Sequence, residues 1–353
     1  MAGQNKGELS EAYTLLKIIH DRFIKYADSK GLPTDEYIGV TTIDLEDKEL
    51  KISLEKSTID FYINESHHSV LISDFISEDD LRNIIKDIIG ISGTSLSPTL
   101  NLKKNALGIN KFKADSYKKS DLSMSFTSFP SNESHYKQGT SIKSFFGGNP
   151  TLLNASKATN FTYIIENISK FNLDYICLKT QEFDDKGKLK IFIKDRIKSI
   201  YEHGGKLRFS HCDNSKYAAS LKFVDSRMDE ILADALIDYY SKKITKLIDY
   251  KGSIISTLAT QNRLKDFIRY TMFGIFPSRE WNGTCSANGV ILVKDLSGQI
   301  VFFHITKEDT LKEYFLSKSY FETASLGRNK FGTVYYENSI PHIKLNLQIR
   351  LLP

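Results

Sequence analysis

The sequence predicts a mixed α/β chain. A mixed sheet flanked by helices is expected over residues 1–175, followed over residues 176–353 by a region of helices and β-hairpins. Three observations lead there. Short segments with apolar residues at alternate positions cluster between residues 38 and 72, the period of strands with one buried face. Apolar residues three and four apart recur on either side of them, the period of helices. Late in the chain, two wholly apolar runs flank Asp295-Leu-Ser-Gly298, a hairpin signal.

The first element is a helix over about residues 7–25, in which Ala12, Leu15, Leu16, Ile18 and Ile19 set the period. Glu8 and Glu11 fall beside that apolar stripe. There they are either functional carboxylates or first-turn residues suited to the helix dipole. Strands follow at about 38–44, 49–54, 58–63 and 69–72. Ser77 then caps a helix running to residue 89, with Asp80 as its reciprocal partner. Residues 90–119 are rich in Ser, Asn, Lys and Gly and form a long connection, partly helical. Residues 121–126 alternate between polar Asp121, Ser123 and Ser125 and apolar Leu122, Met124 and Phe126, which is a strand. A polar loop over 128–139, a second strand over 140–144, a break at 147–150 and a helix over 153–167 complete the first half. In the second half helices are expected at 192–202, 223–242, 264–276 and 308–317. Strand pairs are expected at 289–294 with 299–304 and at 331–337 with 342–349.

Composition narrows the function. With 41% hydrophobic residues, 22 Phe and 18 Tyr among 353 residues, the chain holds enough apolar material for one large core or two, and it is not a disordered chain. A net charge of only +5 is compatible with a DNA-binding enzyme and with a slightly basic cytosolic protein. Cys177, Cys212 and Cys285 are odd in number and far apart, which fits neither a zinc knuckle nor a disulfide framework and points to a reduced, cytoplasmic setting. The first eight residues are polar, and no apolar run approaches the length of a membrane span, so neither export nor membrane insertion is expected.

The chemistry-bearing pattern lies on the two central strands. A metal-dependent phosphodiesterase needs carboxylate oxygens for the metal and a cation near the scissile phosphate. Asp121 heads one strand on its polar face. Ser141 and Lys143, two residues apart on the next, point the same way. Adjacent strands lie about 4.8 Å apart, close enough to share one metal and one phosphate. Asp, a spacer, then x-Ser-Ile-Lys is the frame of the PD-(D/E)xK nucleases, except that Ser141 stands where the second acidic residue belongs. Asp44 with Glu49-Leu-Lys51 spells the motif better, but the two acids look like the two sides of one hairpin turn.

Longer blocks carry a resemblance. Asn5-Lys-Gly-Glu-Leu-Ser-Glu-Ala-Tyr13, Gly139-Thr-Ser-Ile-Lys-Ser144 and Pro150-Thr-Leu-Leu-Asn-Ala-Ser-Lys-Ala-Thr-Asn-Phe161 resemble the opening and central blocks of the HpaII family of restriction endonucleases. Val224-Asp-Ser-Arg-Met-Asp-Glu-Ile-Leu-Ala233, Phe331-Gly-Thr-Val-Tyr335 and Lys344-Leu-Asn-Leu-Gln-Ile-Arg350 resemble its later ones. The resemblance implies Mg2+-dependent cleavage of both DNA strands at a short palindrome, CCGG in the family's namesake. It also implies a cognate cytosine methyltransferase acting on the same site, and it is compatible with a homodimer. Carried onto this chain, it makes Asp121 the metal-binding aspartate and Lys143 the catalytic lysine. The missing carboxylate is then expected from Glu8 or Glu11, with Glu166 on the following helix as the alternative.

DNA contacts are expected from Lys118 and Lys119 just before Asp121, and from Asn154, Lys157 and Asn160 after the glycine-rich turn. Further contacts are expected from Arg279 and from Arg328, Asn329 and Lys330 in two later loops, where a guanidinium can read guanine. The histidines at 67, 68, 211, 304 and 342 have no regular spacing and are expected to be structural. A DNA-binding module with a degenerate, inactive site is the second reading, because the Glu-x-Lys spelling is lost. A structural protein without nucleic acid is the third.

Overall fold

The structure, a computed structural model, describes residues 5–45, 48–91, 97–109 and 118–353. The first half of the chain builds α1 (Lys6–Asp21), β1 (Phe23–Ala27), β2 (Pro33–Leu45), β3 (Lys48–Ser53), β4 (Thr58–Ile63) and β5 (Ser66–Leu71). It continues with α2 (Ile72–Phe75), α3 (Glu78–Gly90), α4 (Pro98–Ala106), β6 (Leu122–Phe129), β7 (Glu133–Ser144), β8 (Thr151–Leu153) and β9 (Asn160–Glu166). Then come α5 (Lys170–Lys179), β10 (Gln181–Phe183), β11 (Leu189–Ile191), α6 (Ile193–Glu202), β12 (Lys206–Cys212), α7 (Ser215–Val224), α8 (Met228–Tyr240) and α9 (Thr257–Phe273). The last elements are β13 (Gly289–Val293), β14 (Ile300–His304), α10 (Glu308–Lys318), β15 (Ser319–Phe321), α11 (Leu326–Asn329), β16 (Val334–Glu337), β17 (Ile340–Asn346) and β18 (Ile349–Leu351). Among the described residues no helix is long and apolar enough to cross a membrane.

The main sheet has nine strands in the order β1-β14-β13-β7-β6-β2-β3-β4-β5. Because β1 also pairs with β2, six of them close into a ring. Strand β7 runs antiparallel to β6 from Glu133 to Thr140 and parallel to β13 from Thr140 to Ser144, so Ser141 and Lys143 pair with β13 just past the end of the β6 pairing. A second sheet, β12-β9-β17-β16, is antiparallel throughout.

Every residue of β13 and β14 is buried, and alternate side chains go to different cores. Ile291, Val293, Ile300 and Phe302 join α1, α3 and the first strands. Val290, Leu292, Val301 and Phe303 join the helices and second sheet of the later half. The hairpin therefore completes the main sheet from residues beyond the expected boundary at 175 and joins the two cores through its own two faces.

Several expected elements are confirmed, and others are corrected. Ser77 and Asp80 form a capping box on α3, and the hairpins at 289–304 and 334–346 are present. The first helix stops at Asp21 rather than Lys25, because Arg22 takes a left-handed φ of 62° and its N–H closes onto the Ile18 carbonyl. The strand expected at 69–72 runs instead from Ser66 to Leu71, and Ile72 opens α2. Most of the loop expected over 128–139 is instead strand, since β6 runs to Phe129 and β7 begins at Glu133; the stretch is polar because this end of the hairpin is largely exposed. Part of the expected connection over 90–119 is α4, and residues 92–96 and 110–117 of it lie outside the described residues. The helix expected over 153–167 is strand β9, a central strand with Phe161, Thr162 and Tyr163 all buried, so its apolar run lacks the alternation that marks a half-buried strand. The helix expected over 223–242 is α8 from Met228 to Tyr240, and Phe223 and Val224 instead end the separate helix α7, where Asp225 is extended and bonded to Arg263 Nε at 2.5 Å.

Candidate active site

The site grows from the junction of β6 and β7. The Asp121 N–H donates to the Thr140 carbonyl at 2.9 Å, which fixes the start of β6 against β7. Its carboxylate then turns back onto β7. Oδ2 accepts the Ile142 N–H at 2.6 Å and the Ser141 hydroxyl at 3.2 Å. Among the described residues no hydrogen bond or ion pair reaches Oδ1. Ser141 is 2% exposed, so the residue in the acidic position of the motif acts as a buried donor that orients Asp121. Lys143, two residues on, shares the Ser141 side of β7. Its neighbours across β13, Val290 and Leu292, belong to the later core. Among the described residues the Lys143 amine has neither ion pair nor hydrogen bond.

Helix α1 lies on the other face, the one Ile142 enters together with Leu9, Ala12 and Tyr13. Around the end of β7, Glu11 and Lys143 both line a cleft of about 630 Å³ with Lys6, Gly147, Asn154 and Arg350. Glu8 is not in that lining. It is the third residue of α1, and its Oε2 accepts the Asn5 N–H at 3.2 Å while the Asn5 side chain accepts its own N–H, so it closes a capping box. Glu166 lies on strand β9 of the second sheet rather than on a helix, and it pairs with Arg208 at 2.6 Å. Asp44 and Glu49 face each other across the β2–β3 hairpin, as their spacing suggests.

Beside this junction lies a cationic group. Lys119 and Arg279 both stack on Phe276, with Lys119 Nζ 4.3 Å and Arg279 Cζ 3.9 Å from the ring centroid. The Lys119 N–H donates to Ser286 Oγ at 2.8 Å, tying the loop after α9 to the start of β6. Burial, reinforced by the cations of Lys143 and Arg279 and opposed by Asp121, pushes the Lys119 ammonium down to about 7. Arg279 thus sits beside the candidate catalytic residues, a proximity its position 136 residues after Lys143 does not reveal.

The other expected DNA contacts separate. Lys118, Asn154 and Lys157 are exposed, as are Arg328 and Lys330 on and after α11. Asn160 and Asn329 are buried, 2% and 5% exposed. Asn160 Nδ2 donates to the Asn329 carbonyl at 2.9 Å, and Asn160 Oδ1 accepts from Asn346 Nδ2 at 2.7 Å. These two asparagines knit β9, α11 and β17 together and have little surface to offer DNA.

The donor chemistry fits a hard divalent cation. Glu11 offers carboxylate oxygen in the cleft and Asp121 offers it at the adjoining β6–β7 junction, against Ser141 and Ile142, and among the described residues no cysteine or histidine lines the cleft. Mg2+ is commonly held by one or two carboxylates plus waters and substrate phosphate, so no larger protein cage is needed. Among the described residues the one cluster of three potential ligand residues within 4.8 Å is His20, Asp21 and Glu78, at the far end of α1. Lys17 already bonds Asp21 there at 2.8 Å.

A carboxylate, a lysine without a partner among the described residues and flanking cations make a centre suited to phosphodiester hydrolysis. The HpaII restriction endonuclease family matches residues 5–351. The chain is 31% identical over 366 aligned positions to the type II restriction enzyme HpaII of Haemophilus parainfluenzae, covering 99% of this chain and 98% of that one. No solved structure matches it. The chain is a site-specific deoxyribonuclease whose substrate is DNA. It belongs to the HpaII family of type II restriction endonucleases. The comparisons thus favour an active nuclease over a DNA-binding module with a dead site.

Proposed function

We propose that this endonuclease cuts both strands of DNA at CCGG with Mg2+ as cofactor, in the cytoplasm, beside a cytosine methyltransferase that protects the same sequence. The observation carrying the site assignment is the Asp121 carboxylate held by Ser141 and the Ile142 amide, with Lys143 on the same face, in a chain matched by the family from residue 5 to 351. The CCGG expectation rests on the family resemblance. A site with twofold symmetry would suit a homodimer placing one centre on each strand.

In this reading Asp121 and Glu11 hold the metal, while Glu8 supports Glu11 by fixing the first turn of α1. Bound Mg2+ supplies Lewis-acid polarisation of the phosphate and a water of lowered pKa. Lys143 donates hydrogen bonds to a non-bridging oxygen of the scissile phosphate and orients the attacking water. Water adds to phosphorus, one P–O ester bond breaks, and a proton passes to the leaving oxygen. Lys118, Lys119, Asn154 and Lys157 contact the backbone near the cut, and Arg279, Arg328 and Lys330 reach the duplex from the later loops. Residues 1–175, completed by the 289–304 hairpin, then form the catalytic part, and the remainder of 176–353 grips DNA. Digestion of a sequenced plasmid by purified protein, with and without Mg2+, followed by mapping of the ends, tests the proposal. Ends elsewhere than CCGG refute the site, and full cutting in excess EDTA refutes the cofactor.

A further inference from the structure

The cleft that holds Lys143 carries more positive charge than cutting one phosphate requires. Its lining has three cations, Lys6, Lys143 and Arg350, and one acid, Glu11. Arg350 is fixed from behind. Its Nε meets Glu322 Oε2 at 2.5 Å and its Nη1 donates to the Asn149 carbonyl at 2.8 Å, while Gln348 Nε2 holds the same Glu322 oxygen at 2.7 Å. Its Nη2 has no partner among the described residues, and the side chain is one-third exposed. A guanidinium immobilised in this way has already given up its rotamer freedom, so a further hydrogen bond to an anion costs little ordering entropy. Lys6 approaches from the first turn of α1, beside Gly147, where a Cβ would come within 3.2 Å of Lys6 Cβ; its Nζ donates one hydrogen bond to the Ile89 carbonyl at 3.3 Å and keeps two further N–H donors for an anion. Among the described residues the amide groups of Lys6 and Gly7 have no backbone partners there, the usual state of a helix N-terminus and one favourable to anions.

We infer that Arg350 and Lys6 form a second phosphate subsite, holding the phosphodiester next to the scissile one along the same strand. Arg350 binds its phosphate through Nη2, Lys6 adds a second charge, and the strand is drawn straight through the cleft past Lys143. The inference rests on the nuclease reading of that cleft. It gives Arg350 a role beyond tying β18 to Asn149 and Glu322, since those ties use only Nη1 and Nε.

The test is binding of the full chain to a short duplex containing CCGG, in EDTA, measured by fluorescence anisotropy over a range of salt. Removing one phosphate-binding charge lowers the slope of log K against log salt by about 0.9. Arg350→Gln and Lys6→Gln are each expected to lower it by about that amount. Arg350→Lys, which keeps the charge and gives up the tie to Asn149, should leave the slope near wild type. Neutralising single phosphates as methylphosphonates should reveal one position, next to the cut, that costs wild type about tenfold in affinity and costs Arg350→Gln almost nothing. A wild-type slope in both Gln variants overturns the inference, as does an Arg350→Lys slope as low as that of Arg350→Gln. If Arg350→Gln does not fold, as judged by its melting curve, the methylphosphonate scan on wild type and Lys6→Gln decides. Absence of a sensitive flanking position then overturns it. Failure of wild type to bind or cut the duplex would instead refute the proposed function itself.

Discussion

The Asp121 carboxylate accepts the Ile142 backbone N–H at 2.6 Å, across the junction of β6 and β7. That bond places a hard oxygen donor one residue from Lys143 along β7, and among the described residues Oδ1 has no partner. Asp121→Asn should keep much of the geometry and remove the charge that a divalent cation needs. Lys143→Ala removes a side chain without partners among the described residues and should leave folding intact. Both variants should lower kcat by more than a hundredfold while binding of the cognate duplex changes little, because the interactions they remove matter most in the transition state. Single-turnover cleavage assays check this, and near-normal turnover in either variant would move the catalytic centre.

Glu11 and Glu166 provide a direct contrast. Glu11 lines the cleft with Lys143, whereas Glu166 is paired with Arg208 on the second sheet. Glu11→Gln should reduce cleavage by about a hundredfold, the scale of losing a charge next to a catalytic metal. Glu166→Gln should leave cleavage near wild type and cost about 1 kcal/mol of stability or less, since its pair is largely exposed. Cleavage titrated against metal separates the two. Equal losses would place the second carboxylate away from the cleft.

Local signals were legible in the sequence, and those that depend on distant partners were not. The capping box at Ser77 and Asp80 needs only neighbours three residues apart. The common face of Ser141 and Lys143 follows from strand alternation alone. By contrast, α5 carries Leu173 and Ile176 inward and Phe171, Tyr175 and Leu178 outward, so it has apolar residues on both sides and no single stripe to read. Strand β9 was masked by burial on both faces. Asn160 and Asn329 look like DNA-facing polar residues until the fold brings together chain segments 169 residues apart. The partnership of Lys119 and Arg279 on Phe276 is likewise a product of tertiary structure.

His304 gives stability a defined acid dependence. It is 2% exposed, and its Nε2 lacks a hydrogen-bond partner among the described residues. It packs between Phe126 and Phe302, with His135 at 5.3 Å and Thr306 Oγ1 on its Nδ1. Burial, with a smaller contribution from His135, pushes its imidazolium down to about 4. The unfolded chain therefore binds the extra proton first, at its ordinary value of about 6.5, and stability falls as pH drops from there to about 4. The full loss attributable to this group is about 3 kcal/mol. His304→Phe, which fits the surrounding rings, should flatten that part of the profile. Thermal melts between pH 7 and 4 decide it, and parallel profiles for wild type and variant would contradict the assignment.

Arg279 and Arg328 should separate the cutting and gripping of DNA. Arg279 stacks on Phe276 next to Lys119, whose own ammonium feels Lys143 and Asp121. Arg328 is exposed on α11, beside the exposed Lys330. A guanidinium close to the catalytic strands touches DNA near the cut, so Arg279→Ala should lower kcat as well as affinity. Arg328→Ala should act on binding alone. A bidentate bond to guanine is worth about 1–3 kcal/mol and acts at one base pair, whereas removing a phosphate-binding charge weakens all sequences alike. If Arg328 reads a base, its alanine variant will lose discrimination at one position of the site and keep the wild-type salt slope. If it meets only phosphate, discrimination will hold and the slope will fall by about 0.9. Competition binding against duplexes with single-base changes, alongside single-turnover rates, measures both quantities in the same preparations. Unchanged rates and unchanged discrimination in both variants would remove these two arginines from the DNA interface and direct the search for guanine readers to other residues.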